Sequence, residues 1–282
     1  MKNKITFTKM QALGNDFIVI EDLENQFSLT QSQIQKLAHR KFGVGFDQLL
    51  LIQAKTKQSD HFFLKIFNAD GSESFQCGNG LRSVAKYLWN QKICHNNLLT
   101  ITTETESYQA SLESSGQISI NMKQPILEVA KIPFIPQGEK ISAYSWQIEI
   151  NSGQSFEILP LSFGNPHGVI FCQQLDQIDL IKFGSQLENH PCFPAKANIE
   201  FVEIISENEL NILIFERGVG PTMACGSGAC AAMAAARLHN KIGHIAKINM
   251  PGGSLTIDWQ GLGNDLKMIG NAEIVYSGSL EI

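Results

Sequence analysis

The chain has no surplus of positive charge. Its 282 residues carry 22 Lys and Arg against 27 Asp and Glu, a formal net charge of −5. Neutralising a phosphate backbone takes clustered cations, so nucleic acid is not an expected partner. Charge is sparse altogether, at 17%, while apolar residues make up 43%. That balance builds a core and excludes a disordered chain. Residues 1–10 contain no continuous apolar run, so no secretory signal is expected there. The uncharged stretch at residues 218–236 contains Pro221, four glycines and small side chains. It lacks the Leu, Ile, Val and Phe of a membrane span. Metal-site spacing is missing as well. None of the six cysteines forms a Cys-x-x-Cys pair, and the seven histidines make no ligand pair at helical spacing. A disulfide scaffold is equally unexpected in a chain of this length without a signal. The expectation is a cytoplasmic protein of one or two domains with no metal.

What is present is order that repeats. Residues 5–7 and 17–20 read as short strands around a Gly-Asn-Asp turn. Thr30 predicts the N-cap of a helix running to residue 40, with Ile34, Leu37 and Ala38 inward. Residues 61–67 read as a strand closed by the turn Asn68-Ala69-Asp70-Gly71. Leu81, Val84, Ala85 and Leu88 follow the i, i+3, i+4, i+7 pattern of a helix after Gly80. Residues 99–103 and 117–122 complete the strands of this half. Pro125, Pro133 and Pro136 then mark residues 123–136 as a crossing segment.

Beyond it the series returns. Leu13-Gly14-Asn15 before Val19-Ile20 becomes Phe163-Gly164-Asn165 before Val169-Ile170, an offset of 150. Cys77-Gly78-Asn79-Gly80 becomes Cys225-Gly226-Ser227-Gly228, an offset of 148. A strand at 211–215 and the turn Glu216-Arg217-Gly218 precede the second of these, and a helix is predicted after Gly228. Two motifs in the same order at nearly the same offset predict two homologous α/β halves, each placing one cysteine at a helix N-terminus.

A helix N-terminus presents unpaired N–H groups and a partial positive charge. A thiolate there is stabilised, and the expected thiol pKa falls from roughly 8.5 toward 3.5–7.5. The flanking glycines leave N–H groups open to a carboxylate or phosphate. Inverting a carbon that bears hydrogen needs a base on one face and an acid on the other. A thiolate and a thiol on opposite sides of an amino acid α-carbon supply both, and the helix dipoles stabilise charge building on the α-carboxylate. The matched contexts of Cys77 and Cys225 favour this reading over two buried hydrophobes. Cys94, Cys172, Cys192 and Cys230 have no such match and read as packing residues.

Six segments extend the argument. They are Lys9-Met10-Gln11-Ala12-Leu13-Gly14-Asn15-Asp16-Phe17; Gly43-Val44-Gly45-Phe46-Asp47-Gln48-Leu49-Leu50; Phe67-Asn68-Ala69-Asp70-Gly71-Ser72-Glu73 with Gln76-Cys77-Gly78-Asn79-Gly80; Gly164-Asn165-Pro166-His167; Glu216-Arg217-Gly218-Val219-Gly220 with Ala224-Cys225-Gly226-Ser227-Gly228-Ala229-Cys230; and Met250-Pro251-Gly252-Gly253. In this order they resemble the diaminopimelate epimerase family, nearly end to end. The resemblance implies an α/β (α+β) fold of two pseudo-symmetric domains, each a curved, mainly antiparallel sheet wrapped around a central helix. The implied halves are 1–122 with 271–282 returning to it, and 123–270.

The implied activity is cofactor-independent epimerisation of LL- to meso-diaminopimelate, in lysine and peptidoglycan precursor synthesis. Cys225 would remove the α-proton in that direction and Cys77 would deliver one to the opposite face. Gly78, Asn79, Gly226 and Ser227 would hold the reacting carboxylate. Glu216 and the Arg217 backbone match positions near the reacting amine, and the Arg217 side chain is the natural partner of the distal carboxylate. His167 matches a residue that orders the catalytic region. Asn15, Gln48, Asn68, Asn165 and Asn198 match substrate-binding positions. Tyr276 matches a contact in a homodimer. The substrate is a small molecule, and neither nucleic acid nor membrane is an expected partner.

The chain departs from the family's usual pattern at Gln11-Ala12, Leu81-Arg82-Ser83, Gly168 and Pro221. Pro221 is expected in the loop before Cys225. Three other readings stay open: a racemase for another amino acid, a thiol redox protein using a Cys77–Cys225 disulfide, and an anion-binding module without catalysis.

Overall fold

A computed structural model describes residues 4–54, 60–151 and 153–281. The chain divides into two compact units, Met1–Asn121 with Ile269–Ile282, and Met122–Met268.

In the first unit the strands are β1 (Lys4–Ala12), β2 (Asn15–Asp22), β3 (Gln48–Ala54), β4 (His61–Asn68), β5 (Glu73–Ser74), β6 (Leu98–Thr102), β7 (Ser107–Leu112) and β8 (Ile118–Asn121). Two helices join them, α1 (Gln31–Ala38) and α2 (Gly78–Asn90). β1 and β2 pair antiparallel, β2 and β3 parallel, β3 and β4 antiparallel. β4 pairs antiparallel with β5 and parallel with β6, and β6, β7 and β8 run on antiparallel. β1 and β2 exceed the short strands expected at 5–7 and 17–20. Ladder hydrogen bonds extend β1 through its polar residues, because Thr8 and Lys9 pair with Val19 and Ile18 inside the sheet. The β1–β2 turn has Leu13 at φ 58° and Gly14 at φ 83°. Positive φ at both central residues is the geometry of a tight two-residue hairpin.

α1 opens with a capping box between Thr30 and Gln33. It stops at Ala38 rather than at residue 40, because His39 is extended and the amides of Val44 and Gly45 turn back to the Leu37 carbonyl. Gly43 allows that close return, since a Cβ there would lie 2.2 Å from the Lys36 carbonyl oxygen.

The second unit contains β9 (Trp146–Glu149), β10 (Ser155–Ser162), β11 (Pro166–Cys172), α3 (Leu180–Glu188), β12 (Asn198–Ser206), β13 (Glu209–Glu216), β14 (Gly220–Thr222), α4 (Gly226–Leu238), β15 (Ile245–Met250) and β16 (Gly253–Asp258). Its pairings run in the same series. β10–β11 is antiparallel, β11–β12 parallel and β12–β13 antiparallel. β13 pairs antiparallel with β14 and parallel with β15, and β15–β16 is antiparallel. Pro221 lies within β14, opposite Phe215, and not in a loop. A three-residue strand exposed at that position tolerates the missing N–H. β17 (Lys267–Gly270) and β18 (Glu273–Glu281) follow. β18 pairs antiparallel with β1 along its length.

Each unit packs one helix deep against its strands. α2 lies on β1, β2, β3, β7, β8 and β18, and α4 on β10, β11, β12, β13, β15 and β16. Contact with so many strands requires each sheet to curl about its helix. Leu81, Val84, Ala85 and Leu88 are fully buried, as the 3.6-residue period predicts. In α4 every residue from Gly226 to Ala236 is buried, and alanines let the strands approach from all sides. α1 and α3 cover the outer faces, over apolar clusters around Phe46 and Leu49 and around Phe193 and Phe201.

Candidate functional site

In the first unit the turns and strand ends collect near the start of α2. Cys77 is the N-cap, extended at φ −153°. Its Sγ accepts the Gly80 amide at 3.2 Å and lies 3.8 Å from Asn15 Oδ1. A Cβ on Gly80 would approach that sulfur to 3.3 Å, so the glycine keeps the sulfur against the helix amides. Asn15, at the first position of β2, donates from Nδ2 to Asp47 Oδ2 at 2.9 Å. Asp47 also receives the Asp16 amide at 3.1 Å and a 2.7 Å contact from Arg40. Asp16 in turn is paired with Lys9 and Arg40. Burial works to raise the Asp16 carboxyl, but hydrogen bonds and charge from Arg40 and Lys9 outweigh it and hold the pKa at about 2. This charged cluster braces the Asn15 amide.

Gln48 and Asn68 lie directly opposite one another on β3 and β4, with Gln48 Nε2 donating to Asn68 Oδ1 at 2.9 Å. Gln48 Oε1 and Gln76 Nε2 are buried polar atoms without a hydrogen-bond partner, the condition of groups shaped to meet something else. Asn79 is fixed by the wholly buried Arg82, whose Nη2 donates to Asn79 Oδ1 at 2.6 Å.

In the second unit Cys225 is the N-cap of α4 and is buried. Its Sγ lies 3.4 Å from Ser227 Oγ. Asn165 Nδ2 donates to the same hydroxyl at 3.2 Å, and Asn165 Oδ1 meets His167 Nε2 at 3.1 Å. His167 Nδ1 meets Glu200 Oε1 at 2.7 Å, with both side chains wholly buried. Asn198 stands opposite His167 in the β11–β12 ladder. It donates to the Pro166 carbonyl and accepts the Arg217 amide at 3.0 Å. Glu188 accepts the Gly218 amide at 2.7 Å and so pins the turn after Glu216.

Glu216 and Arg217 do not form a solvated pair. The Arg217 side chain is exposed and reaches the Ala195 carbonyl at 3.4 Å. The Glu216 carboxyl turns inward against Thr222 and Cys225. Burial, with the Glu200 charge added, raises it above the ordinary carboxylate range. The Cys225 thiol is also pushed well up, first by burial and then by the Glu216 charge. This reverses the expectation from its helix N-terminus: desolvation beside two carboxyls outweighs the dipole. The sign gives a test. Replacing Glu216 by glutamine removes that charge and lowers the thiol. Alkylation of Cys225 by iodoacetamide at pH 8, followed by peptide mass spectrometry, should then accelerate about 5-fold, the advantage disappearing as pH falls through the Glu216 titration.

Cys94, Cys192 and Cys230 are buried and Cys172 half-buried. Burial, assisted by Asp60 and Glu203 respectively, pushes Cys94 and Cys172 up to about 11. Gly168 fits because Ile158 and Phe193 occupy the space of a side chain, Ile158 Cδ1 lying 2.6 Å from a Cβ built there. Gln11 bridges the hairpin, accepting the Gly14 amide and donating to Glu273. Tyr276 is partly exposed on β18, edge-on to Phe7 at 6.1 Å. Among the described residues, no helix is long and apolar enough to cross a membrane, and no group of three His, Cys, Asp or Glu could hold a metal ion.

Sequence reasoning did not single out Glu200, Glu188, Asp47, Arg40 or Arg82. Each acts through a neighbour, and a lone acidic or basic residue has no local pattern.

Comparison with known proteins covers nearly the whole chain. The family model described as diaminopimelate epimerase matches residues 7–127 and 161–275. The protein named diaminopimelate epimerase in Coxiella burnetii (strain RSA 493 / Nine Mile phase I) is 41% identical over 275 residues, covering 98% of each chain. Its namesake in Blochmanniella floridana is 41% identical over 280 residues, covering 98% of this chain and 99% of that one. Among solved structures, a hydroxyproline epimerase from Agrobacterium vitis with bound trans-4-hydroxy-L-proline superposes with a TM-score of 0.73 at 13% identity. That match covers 100% of this chain and 94% of the other. A Bacillus anthracis phenazine biosynthesis protein of the PhzF family gives 0.70 at 16% identity, covering 99% and 100%. At those identities the two structures establish the shared fold.

Proposed function

The chain belongs to the diaminopimelate epimerase family of isomerases, and from that membership we propose that it interconverts LL- and meso-diaminopimelate with Cys77 and Cys225 as paired thiol acid and base. The observation that carries the reading is the placing of one cysteine as the N-cap of each of two helices, α2 and α4, in two units with the same series of strand pairings. Each thiol adjoins backbone N–H groups suited to a carboxylate.

In the LL-to-meso direction Cys225 removes the α-proton. Its thiol is held protonated by burial and by Glu216. A substrate α-ammonium seated against Glu216 offsets that negative charge and lets the thiolate form when substrate is present. Deprotonation of the α-carbon places charge on the carboxylate, and the amides at Gly78-Asn79 and Gly226-Ser227 stabilise it. Cys77 returns a proton to the other face, and the roles exchange in reverse. Asn15, Gln48, Asn68, Asn165 and Asn198 bind the substrate, Gln48 through its unpartnered buried oxygen. Arg217 pairs with the distal carboxylate, for which its exposed guanidinium is available. No cofactor takes part, the product serves lysine and peptidoglycan precursor synthesis, and the enzyme acts in the cytoplasm as a homodimer with Tyr276 at the contact.

Proton NMR in heavy water tests the assignment. Freshly reduced enzyme, with no pyridoxal phosphate or metal added, should replace the α-proton of LL-diaminopimelate by deuterium as the meso isomer accumulates. No exchange from a folded, reduced sample would refute it. Turnover of proline or histidine instead would redirect it to another amino acid.

A further inference from the structure

Glu200 is wholly buried on β12, two residues beyond Asn198 on the same face of the strand. A carboxyl in that place needs a reason, since burying one without full pairing is costly. Only Oε1 meets His167, and Oε2 has no hydrogen-bond partner. Gly228 makes room for it, since a Cβ there would lie 2.9 Å from Glu200 Oε1.

From this contact a continuous series of polar atoms leads to the sulfur. It passes from Glu200 to His167 Nδ1, from His167 Nε2 to Asn165 Oδ1, from Asn165 Nδ2 to Ser227 Oγ, and from Ser227 Oγ to Cys225 Sγ. We propose that Glu200 is a positioning residue for the Cys225 base: by engaging His167 Nδ1 it leaves Nε2–H to donate, which orients the Asn165 amide and turns the Ser227 hydroxyl proton toward the sulfur.

The direction of each bond follows from its neighbour. Asn165 turns its NH₂ to Ser227 and its oxygen to His167. An amide oxygen only accepts, so His167 Nε2 carries the hydrogen between them. Nδ1 is thereby left to the Glu200 carboxyl. The hydroxyl accepts from Asn165, and its own hydrogen is left for Cys225. A thiolate that receives this hydrogen bond is stabilised against the burial and the carboxyls that oppose it. Among the described residues, the charged or titratable groups facing this end of α4 are Glu216 from β13, Glu200 from β12 and His167 from β11.

The inference rests on Cys225 as a base, and its deciding measurement, alkylation of the thiol, is independent of substrate. The pH midpoint of Cys225 alkylation by iodoacetamide would be compared in wild type, Glu200→Leu and Glu200→Gln. Simple removal of a negative charge would lower the midpoint in the leucine variant. The donor series predicts the opposite, a rise of about one pH unit, with kcat falling about 10-fold and KM little changed. Glutamine can donate to Nδ1 and should restore both values toward wild type. Ser227→Ala should raise the midpoint as the leucine variant does. A midpoint that falls or stays in place in Glu200→Leu overturns the proposal. Should that variant not fold, ring ¹⁵N NMR of His167 in the wild type decides: hydrogen on Nε2 supports the series, and a bare Nε2 overturns it. If the midpoint shifts as expected while wild type epimerises nothing, the positioning role stands and the function assigned above falls.

Discussion

Cys77→Ala should abolish inversion of LL-diaminopimelate while leaving exchange of its α-proton with heavy water measurable. In this variant the base on one face survives, because Cys225 and its contacts lie wholly in the other unit. It can lift a proton and return a deuteron to the side it came from, but nothing delivers to the opposite face. Cys225→Ala should show the converse, with exchange confined to the D-configured centre of the meso isomer. Epimerisation should fall by about 10³-fold or more in each, the upper range for loss of a positioned acid or base. Helix α2 should survive the first change. Its apolar face is packed against the strands, and loss of one cap contact from Gly80 costs about 1 kcal/mol. Following both stereocentres by proton NMR separates exchange from inversion. Inversion within 10-fold of wild type in either variant would rule out a one-thiol-per-face mechanism.

Arg82→Met should lower stability by about 3 kcal/mol in urea unfolding and weaken substrate binding as well. The side chain is 0% exposed in the middle of α2. It donates to Asn79 Oδ1 and to the carbonyls of Gly78 and Asn271. Methionine fills much of the volume and supplies none of these donors. The strongest loss is at Asn79, where a 2.6 Å charge-assisted bond disappears and the amide is free to turn. Asn79 sits inside the Cys-Gly-Asn-Gly segment, so a change aimed at the helix interior registers as a higher KM. Unchanged stability would show that the buried charge contributes nothing net.

The helices were legible where a local rule governs them. Thr30 and the spacing of Leu81, Val84, Ala85 and Leu88 state their case within one or two turns of chain. Strand lengths were not, because β1 owes its extent to partners on either side. The Cys-Gly-x-Gly segments were legible because two copies correct one another. The offset of 150 carries further than the motifs themselves. Phe17 pairs with Gln48, and His167 with Asn198, in matching ladders. Asn198, which shows no signal among its neighbours, is thus marked by its counterpart Gln48. The direction of the Cys225 shift was not legible. A helix dipole can be read from sequence, whereas the burial and the nearness of Glu216 and Glu200 that overcome it arise from strands far apart in the chain.

β18 has a consequence for how the protein comes to be. It lies beside β1, with Glu281 opposite Lys4. β1 therefore waits for a strand that is synthesised long after it. Until residues 273–281 emerge, β1 has a partner on one flank only, and its other backbone edge is open to any extended segment nearby. A chain cut short before residue 273 would retain most of its apolar core yet display that edge permanently. Clumping of nascent or clipped chains is the outcome to expect, and a holdase guarding the first strand would matter more here than for a fold closed by neighbours in sequence.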